Sequence, residues 1–281
     1  MAHPPLLIHI LAQGIRFPEG PAFAPDGTLW CVEQQGESLL AYTNEGLINV
    51  HTGGRPNGLT FDAQGRLWFC DAGFNAIRVY DPVSTQLETV LSSIKGIPLN
   101  MPNDLAFDDL GNLVFTCPGP SLDATDAYVC CYKQDGQLLI VARSLQYPNG
   151  LAFTPDGNQL VIAETAKHRL WIGTWHSATA SWQNPRIFAH TGGPIGPDGI
   201  AFDDEGNLYV AVYGSGSICV FDPTGSTIER IPLPGNNPTN CAFDPSGKLG
   251  LIVTEAEKGQ LLQINRRAKG AIRYPIITQR T

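Results

Sequence analysis

Short apolar runs, each bounded by proline, glycine or Asp-Gly, recur along the chain with a fixed syntax. An apolar strand ends at phenylalanine and an Asp-Gly type turn follows. Next comes a strand of alternating facing, such as residues 28–33, 66–71 or 207–212, and two further strands reach outward, for example 77–81 and 86–91. The syntax appears six times: PEGPAFAPDG from Pro18, PNGLTFDAQG from Pro56, PNDLAFDDLG from Pro102, PNGLAFTPDG from Pro148, PDGIAFDDEG from Pro197 and PTNCAFDPSG from Pro238. Proline, phenylalanine and glycine occupy the same columns in every copy. A polar residue follows each proline, at Glu19, Asn57, Asn103, Asn149, Asp198 and Thr239, so the copies recur at intervals of 38 to 49 residues.

That interval is the length of one four-stranded propeller blade. The chain is therefore expected to be all-β, a six-bladed β-propeller filling residues 1–281 as one domain. After GQLLQIN the sixth copy has only a Lys-rich and Arg-rich tail, whereas residues 6–11 (LLIHIL) lie unclaimed at the other end. The N-terminal strand is expected to complete the last blade and close the ring, removing edges that would otherwise pair with other chains.

Composition narrows the function. Gly 30 and Pro 22 suit many short strands and tight turns. A net charge of −8 argues against nucleic acid as a partner, which needs clustered Lys and Arg. No run approaches the roughly 20 apolar residues that span a bilayer, and the N-terminus lacks the basic region and cleavage site of a secretory signal, so no membrane partner is expected. The seven cysteines include the adjacent Cys130 and Cys131 and form no CxxC or Cys/His metal spacing. Reduced thiols and a cytoplasmic location are the expectation. No oligomeric state is readable.

In a propeller the innermost strands line a central channel, so the polar column forms a ring at one mouth. Asn57, Asn149 and Asp198 precede glycine, as turn residues do. Two members break that reading: glutamate is a poor turn former, and Asn103 is followed by aspartate. Two carboxylates with several amide oxygens, and no thiolate or imidazole, suit a hard divalent cation: Ca²⁺, Mg²⁺ or Mn²⁺, with Zn²⁺ or Fe²⁺ also accommodated. Without a cation, two acids converging on a narrow mouth would repel one another.

The EGPAF, PND, PNGLAF and PDGIAFD segments resemble those of the regucalcin and gluconolactonase family, along essentially the whole chain. The resemblance implies a six-bladed propeller with one divalent metal at the channel mouth and, in many members, hydrolysis of sugar-acid lactones. By motif position it assigns the metal to Glu19, Asn149 and Asp198, with Asn103 ligating metal or contacting substrate. Animal members carry arginine two residues before the PND asparagine. Here that residue is Met101, and NMPND is more similar to the microbial gluconolactonase branch.

The expected activity is metal-dependent opening of an aldonolactone, a small-molecule substrate, by water. Asp198 is the candidate base, Asn103 a donor to substrate or intermediate, and Met101 and Asp104 further substrate contacts. Asp104 is also a second candidate base or a simple cap of its strand. Ser215 sits in GSGS rather than GxSxG, and no histidine is placed to activate it. His168 and His190 read as surface or loop residues, Cys117 as a small buried apolar residue, and Glu33, Asp71 and Glu164 as solvated or turn-capping. Residues 118–127 form either a lid over the mouth or a plain surface loop. Two alternatives stand beside the lactonase. One is a phosphotriesterase, since relatives resembling diisopropylfluorophosphatase carry a similar Glu, Asn, Asn, Asp ring. The other is a non-catalytic binding platform.

Overall fold

The computed structural model describes residues 7–266 and 268–277. Six four-stranded antiparallel sheets surround a channel, forming a six-bladed propeller. The innermost strands are Pro18–Phe23, Pro56–Phe61, Leu105–Phe107, Pro148–Phe153, Gly196–Phe202 and Pro238–Phe243, numbered here as blades 1 to 6. Each packs against the inner strands of both neighbouring blades, the last against the first.

The three sequence columns have separate physical causes. All six phenylalanines are buried where successive blades stack, and large aromatic side chains supply much of the apolar area that joins one sheet to the next. Gly27, Gly65, Gly111, Gly157, Gly206 and Gly247 all hold positive φ, between 74° and 89°, closing the turn from the first strand to the second. Four of the prolines open their inner strands, Pro197 is second in its strand, and Pro102 lies just before Leu105–Phe107. In the five blades where the strand begins at or before the proline, the register slips immediately beyond it, for example between Glu19 and Ala22 and between Pro197 and Ile200. Such a bulge re-aims the side chains around it.

The ring closes as the pattern predicts. Ile8–Gln13 is the outer strand of blade 6 and pairs antiparallel with Gln260–Ile264, from Ile8 opposite Ile264 to Gln13 opposite Gln260. It runs two residues later than the expected 6–11, and Leu6 lies outside the described residues. No helix among the described residues is long and apolar enough to cross a membrane.

The basic tail has a structural role that its composition hides. Residues 268–277 cross the channel end opposite the polar ring. Gly270 bridges Asp203 of blade 5, and the Tyr274 hydroxyl donates to the Phe23 carbonyl of blade 1 at 2.8 Å. Arg273 donates to the Thr154 and Pro155 carbonyls of blade 4, Ala63 N–H of blade 2 donates to Pro275 O, and Gln134 of blade 3 donates to Ile276 O. Ile277 then inserts between blades 2 and 3 among Trp68, Phe107 and Tyr132. Ile277→Ala is expected to lower unfolding free energy by about 2–4 kcal/mol, because it empties a buried site. Ile276→Ala, at a residue 69% exposed, should change it by less than about 0.5 kcal/mol. Urea titration of both variants checks this, and equal effects would mean that the tail does not anchor there.

Candidate functional site

The polar column does converge. Glu19, Asn57, Asn103, Asn149 and Asp198 are buried and line one cavity of about 350 Å³ at the channel mouth. Thr239 does not line it: its hydroxyl donates to the Pro18 carbonyl at 2.7 Å and meets Thr254, joining blade 6 to blade 1.

The glycines after these residues serve close packing around the channel axis, since they lie in strands and not in turns. A Cβ on Gly20 would stand 2.6 Å from the Asn57 carbonyl, and one on Gly58 2.7 Å from the Asp104 Cα; Gly150 and Gly199 are crowded by Asp198 O and the Asn240 side chain. Blades 3 and 6, opposite one another, carry Asp104 and Asn240 in this column. Their side chains hydrogen-bond to each other, and Asp104 also accepts the Leu105 and Leu151 N–H groups. Burial lifts its carboxyl to about 6. Asp104 is thus a strand cap beneath the ring, and it is not among the residues lining the mouth cavity.

Buried acids fall into two kinds. Asp71 accepts N–H groups of Arg55, Gly73 and Phe74 and pairs with Arg78 at 2.8 Å. Glu33, Glu164 and Glu255, also closing second strands, receive the Arg16, Gln146 and Asn237 N–H groups of the loops that lead into the ring. These acids are buried caps, so the turn-capping reading holds and the solvated one does not. The ring acids differ. Glu19 accepts only the adjacent Gly20 N–H at 3.2 Å among the described residues, and Asp198 is reached by the Asn149 side chain. Burial raises both carboxyls well above the ordinary range, the nearby charges of Asp198 and Asp104 add to the rise at Glu19, and Asp104 adds to it at Asp198. Two buried, poorly solvated carboxylates beside neutral amide oxygens are a donor set that a hard divalent cation fits. No three His, Cys, Asp or Glu side chains cluster as a metal site among the described residues. The ring's donors are two acids and amides.

Backbone conformation separates four ring members from the other two. Phe17, Met101 and Tyr147, each just before an anchor proline, hold φ of 61°, 53° and 57°, and Gly196 holds 136°. These precede Glu19, Asn103, Asn149 and Asp198. Arg55 and Asn237, preceding Asn57 and Thr239, are not left-handed. A left-handed non-glycine residue costs about 1–3 kcal/mol and persists only where its surroundings impose it. All four positive-φ positions, three of them strained and the fourth a glycine that adopts it freely, precede the four residues that the family resemblance matches to the metal.

The cavity wall contains residues that motif reading passed over. Besides Met101 it includes Phe17, Arg55 and Tyr147, which share one column two residues before the anchors, together with Gln34, Ile195 and Tyr213. Every member of that column directly precedes an anchor proline, a signal that could have found them. Residues 118–122 of the insert also line the mouth. Ser215 donates to Val212 O, and His168 caps a short 3₁₀ turn. Cys117 is buried, and burial pushes its thiol up to about 12.

Residues 17–257 match the model of the SMP-30/Gluconolactonase/LRE-like region. A gluconolactonase from Zymomonas mobilis subsp. mobilis is 28% identical over 275 residues, covering 86% of this chain and 77% of that protein. The diisopropyl-fluorophosphatase of Loligo vulgaris is 30% identical over 287 residues, covering 91% of each. A solved gluconolactonase from Xanthomonas campestris superposes with a TM-score of 0.82 at 28% identity, covering 92% of this chain and 88% of that one.

The contrast between the two kinds of acid gives opposite mutational signs. In chelator, Glu19→Gln should raise stability by about 1 kcal/mol, since it removes a buried charge facing another. Asp71→Asn should lower it by about 3–5 kcal/mol, because Arg78 is left unpaired. Denaturant titration of metal-free protein reads both, and destabilisation by Glu19→Gln would show that Glu19 is a structural acid.

Proposed function

The chain belongs to the SMP-30/gluconolactonase/LRE-like family, and from that premise we propose that it is a divalent-metal-dependent hydrolase opening a sugar-acid lactone to the free acid. The observation that carries this reading is the pair of under-solvated carboxylates, Glu19 and Asp198, at the base of a cavity large enough for a small lactone. Glu19, Asn103, Asn149 and Asp198 would hold the cation. When bound, it would polarise the lactone carbonyl and counter the charge that develops on its oxygen.

The chain's own residues do the rest. Asp198 accepts the proton of the attacking water, which an amide in its place could not do. Asn103 has a side-chain N–H₂ to donate to the substrate oxygen that becomes negative as the carbonyl turns tetrahedral. Burial, together with the charges of Asp198 and Glu19, raises the Tyr147 and Tyr213 phenols. They stay protonated at neutral pH and are available as donors to substrate hydroxyls or to the departing ring oxygen. Phe17, Met101 and Ile195 restrict water at the mouth, and the 118–122 segment stands at its rim. Seven buried free thiols suit a reducing compartment, the cytoplasm.

A second reading has one specific support, the 30% identity to a diisopropyl-fluorophosphatase. It keeps the ring and changes the substrate to a phosphotriester. One assay separates the two: aldonolactones and a phosphotriester are offered to the protein before and after chelation, with spontaneous hydrolysis subtracted. Lactone turnover lost on chelation and restored by a divalent cation is expected. In metal excess, Asp198→Asn should lose kcat by more than about 10³-fold, and Asn103→Ala by about 10²-fold. Wild-type kcat in metal-saturated Asp198→Asn would remove Asp198 as the base.

A further inference from the structure

Resting on the lactonase reading, we propose that Arg55 selects lactones bearing a second, anionic group: monolactones of dicarboxylic sugar acids, whose free carboxylate lies at the far end of the chain from the lactone carbonyl.

Arg55 belongs to the wall column that includes Phe17, Met101 and Tyr147, and it is the cationic member of the cavity lining. Its backbone is pinned on both sides. The N–H donates to Asp71 Oδ1 at 2.9 Å and the carbonyl accepts Ala72 N–H at 3.0 Å, so the start of the side chain is fixed at the rim. Asp71 does not neutralise it, since that carboxylate pairs with Arg78 at 2.8 Å. The guanidinium donates to Oε1 of the buried Gln34 at 3.3 Å, and no carboxylate of the described residues forms an ion pair with it. Arg66, just before the second strand of blade 2, and Arg78 and Arg169, on the third strands of blades 2 and 4, each pair with an acid of their own blade.

Charge completes the case. The other charged residues of the lining are Glu19 and Asp198, which a divalent cation would balance. Arg55 then leaves the wall with an uncompensated positive charge at the rim, exposed where an incoming molecule meets it. A planar fork of N–H donors, held by a neutral amide, matches a carboxylate in bidentate fashion. The reacting carbonyl must approach the ring, so the partner carboxylate sits at the opposite end of the substrate. Opening such a lactone adds water across its ester bond and yields a dicarboxylate, whose original carboxylate keeps the same partner.

The test compares a carboxylate-bearing aldarolactone with a neutral aldonolactone of equal carbon count, in wild type, Arg55→Gln and Arg55→Lys. Calorimetric binding of the two ring-opened acids is measured alongside. Wild type should favour the carboxylated lactone, and Arg55→Gln should cut the ratio of the two kcat/KM values by about 10- to 100-fold, mainly through KM. Arg55→Lys should restore part of it. The dicarboxylate should lose affinity in Arg55→Gln in the same proportion, with metal affinity and melting temperature held as controls of the fold. Equal loss on both lactones, or an unchanged ratio, overturns the proposal and leaves the lactonase intact. If neither lactone is opened yet dicarboxylate binding still depends on Arg55, the lactonase reading fails and the anion site stands. If neither is opened and binding is indifferent to Arg55, both fail.

Discussion

Six inner strands share one axis, and the closeness of their approach governs the molecule. Where two strands come within van der Waals distance of the same line, the residue after each anchor has no room for a side chain, and glycine stands at Gly20, Gly58, Gly150 and Gly199. Where two opposite blades keep a side chain, Asp104 and Asn240 meet one another across the channel and form a floor. The anchors that line the cavity therefore sit on a floor and under a mouth, and in blades 1, 2, 4 and 5 a bulge beside them re-aims the strand. Depth, donor convergence and exclusion of bulk water at the ring follow from that crowding.

Against that geometry, the fold spends stability on its mouth. Elsewhere a buried acid is surrounded by donors, as Asp71 is by three N–H groups and a guanidinium. At the ring two acids are left with little solvation, and three bulky residues before the anchors are held in a left-handed conformation that their side chains resist. Such local violations are what a reactive centre looks like when the rest of a chain is locally consistent.

Repetition made the fold legible. Proline, phenylalanine and glycine recur in all six copies because each answers a demand repeated in every blade: strand entry, inter-blade packing and a positive φ. The ring was legible for the same reason, as the variable position inside an invariant frame. Less was legible wherever a residue acts once. Arg55 and Tyr147 stand in a column whose members share no side-chain chemistry, so only the following proline marks them. Glu33 and Glu164 are capped by N–H groups 17 and 18 residues earlier, beyond the reach of any local motif. The tail of residues 268–277 has no internal pattern at all. Its role comes from blade surfaces far apart in sequence, which no local window contains.

The pairing of Ile8–Gln13 with Gln260–Ile264 also orders events in time. During synthesis the first of these strands is made before blade 1 and its partner after blade 5, so blades 1 to 5 can assemble one after another while blade 6 waits. The growing chain carries its first strand as an unpaired edge throughout that interval. Closure is consequently a late step of high contact order, and the strand that precedes blade 1 needs protection until blade 6 is made.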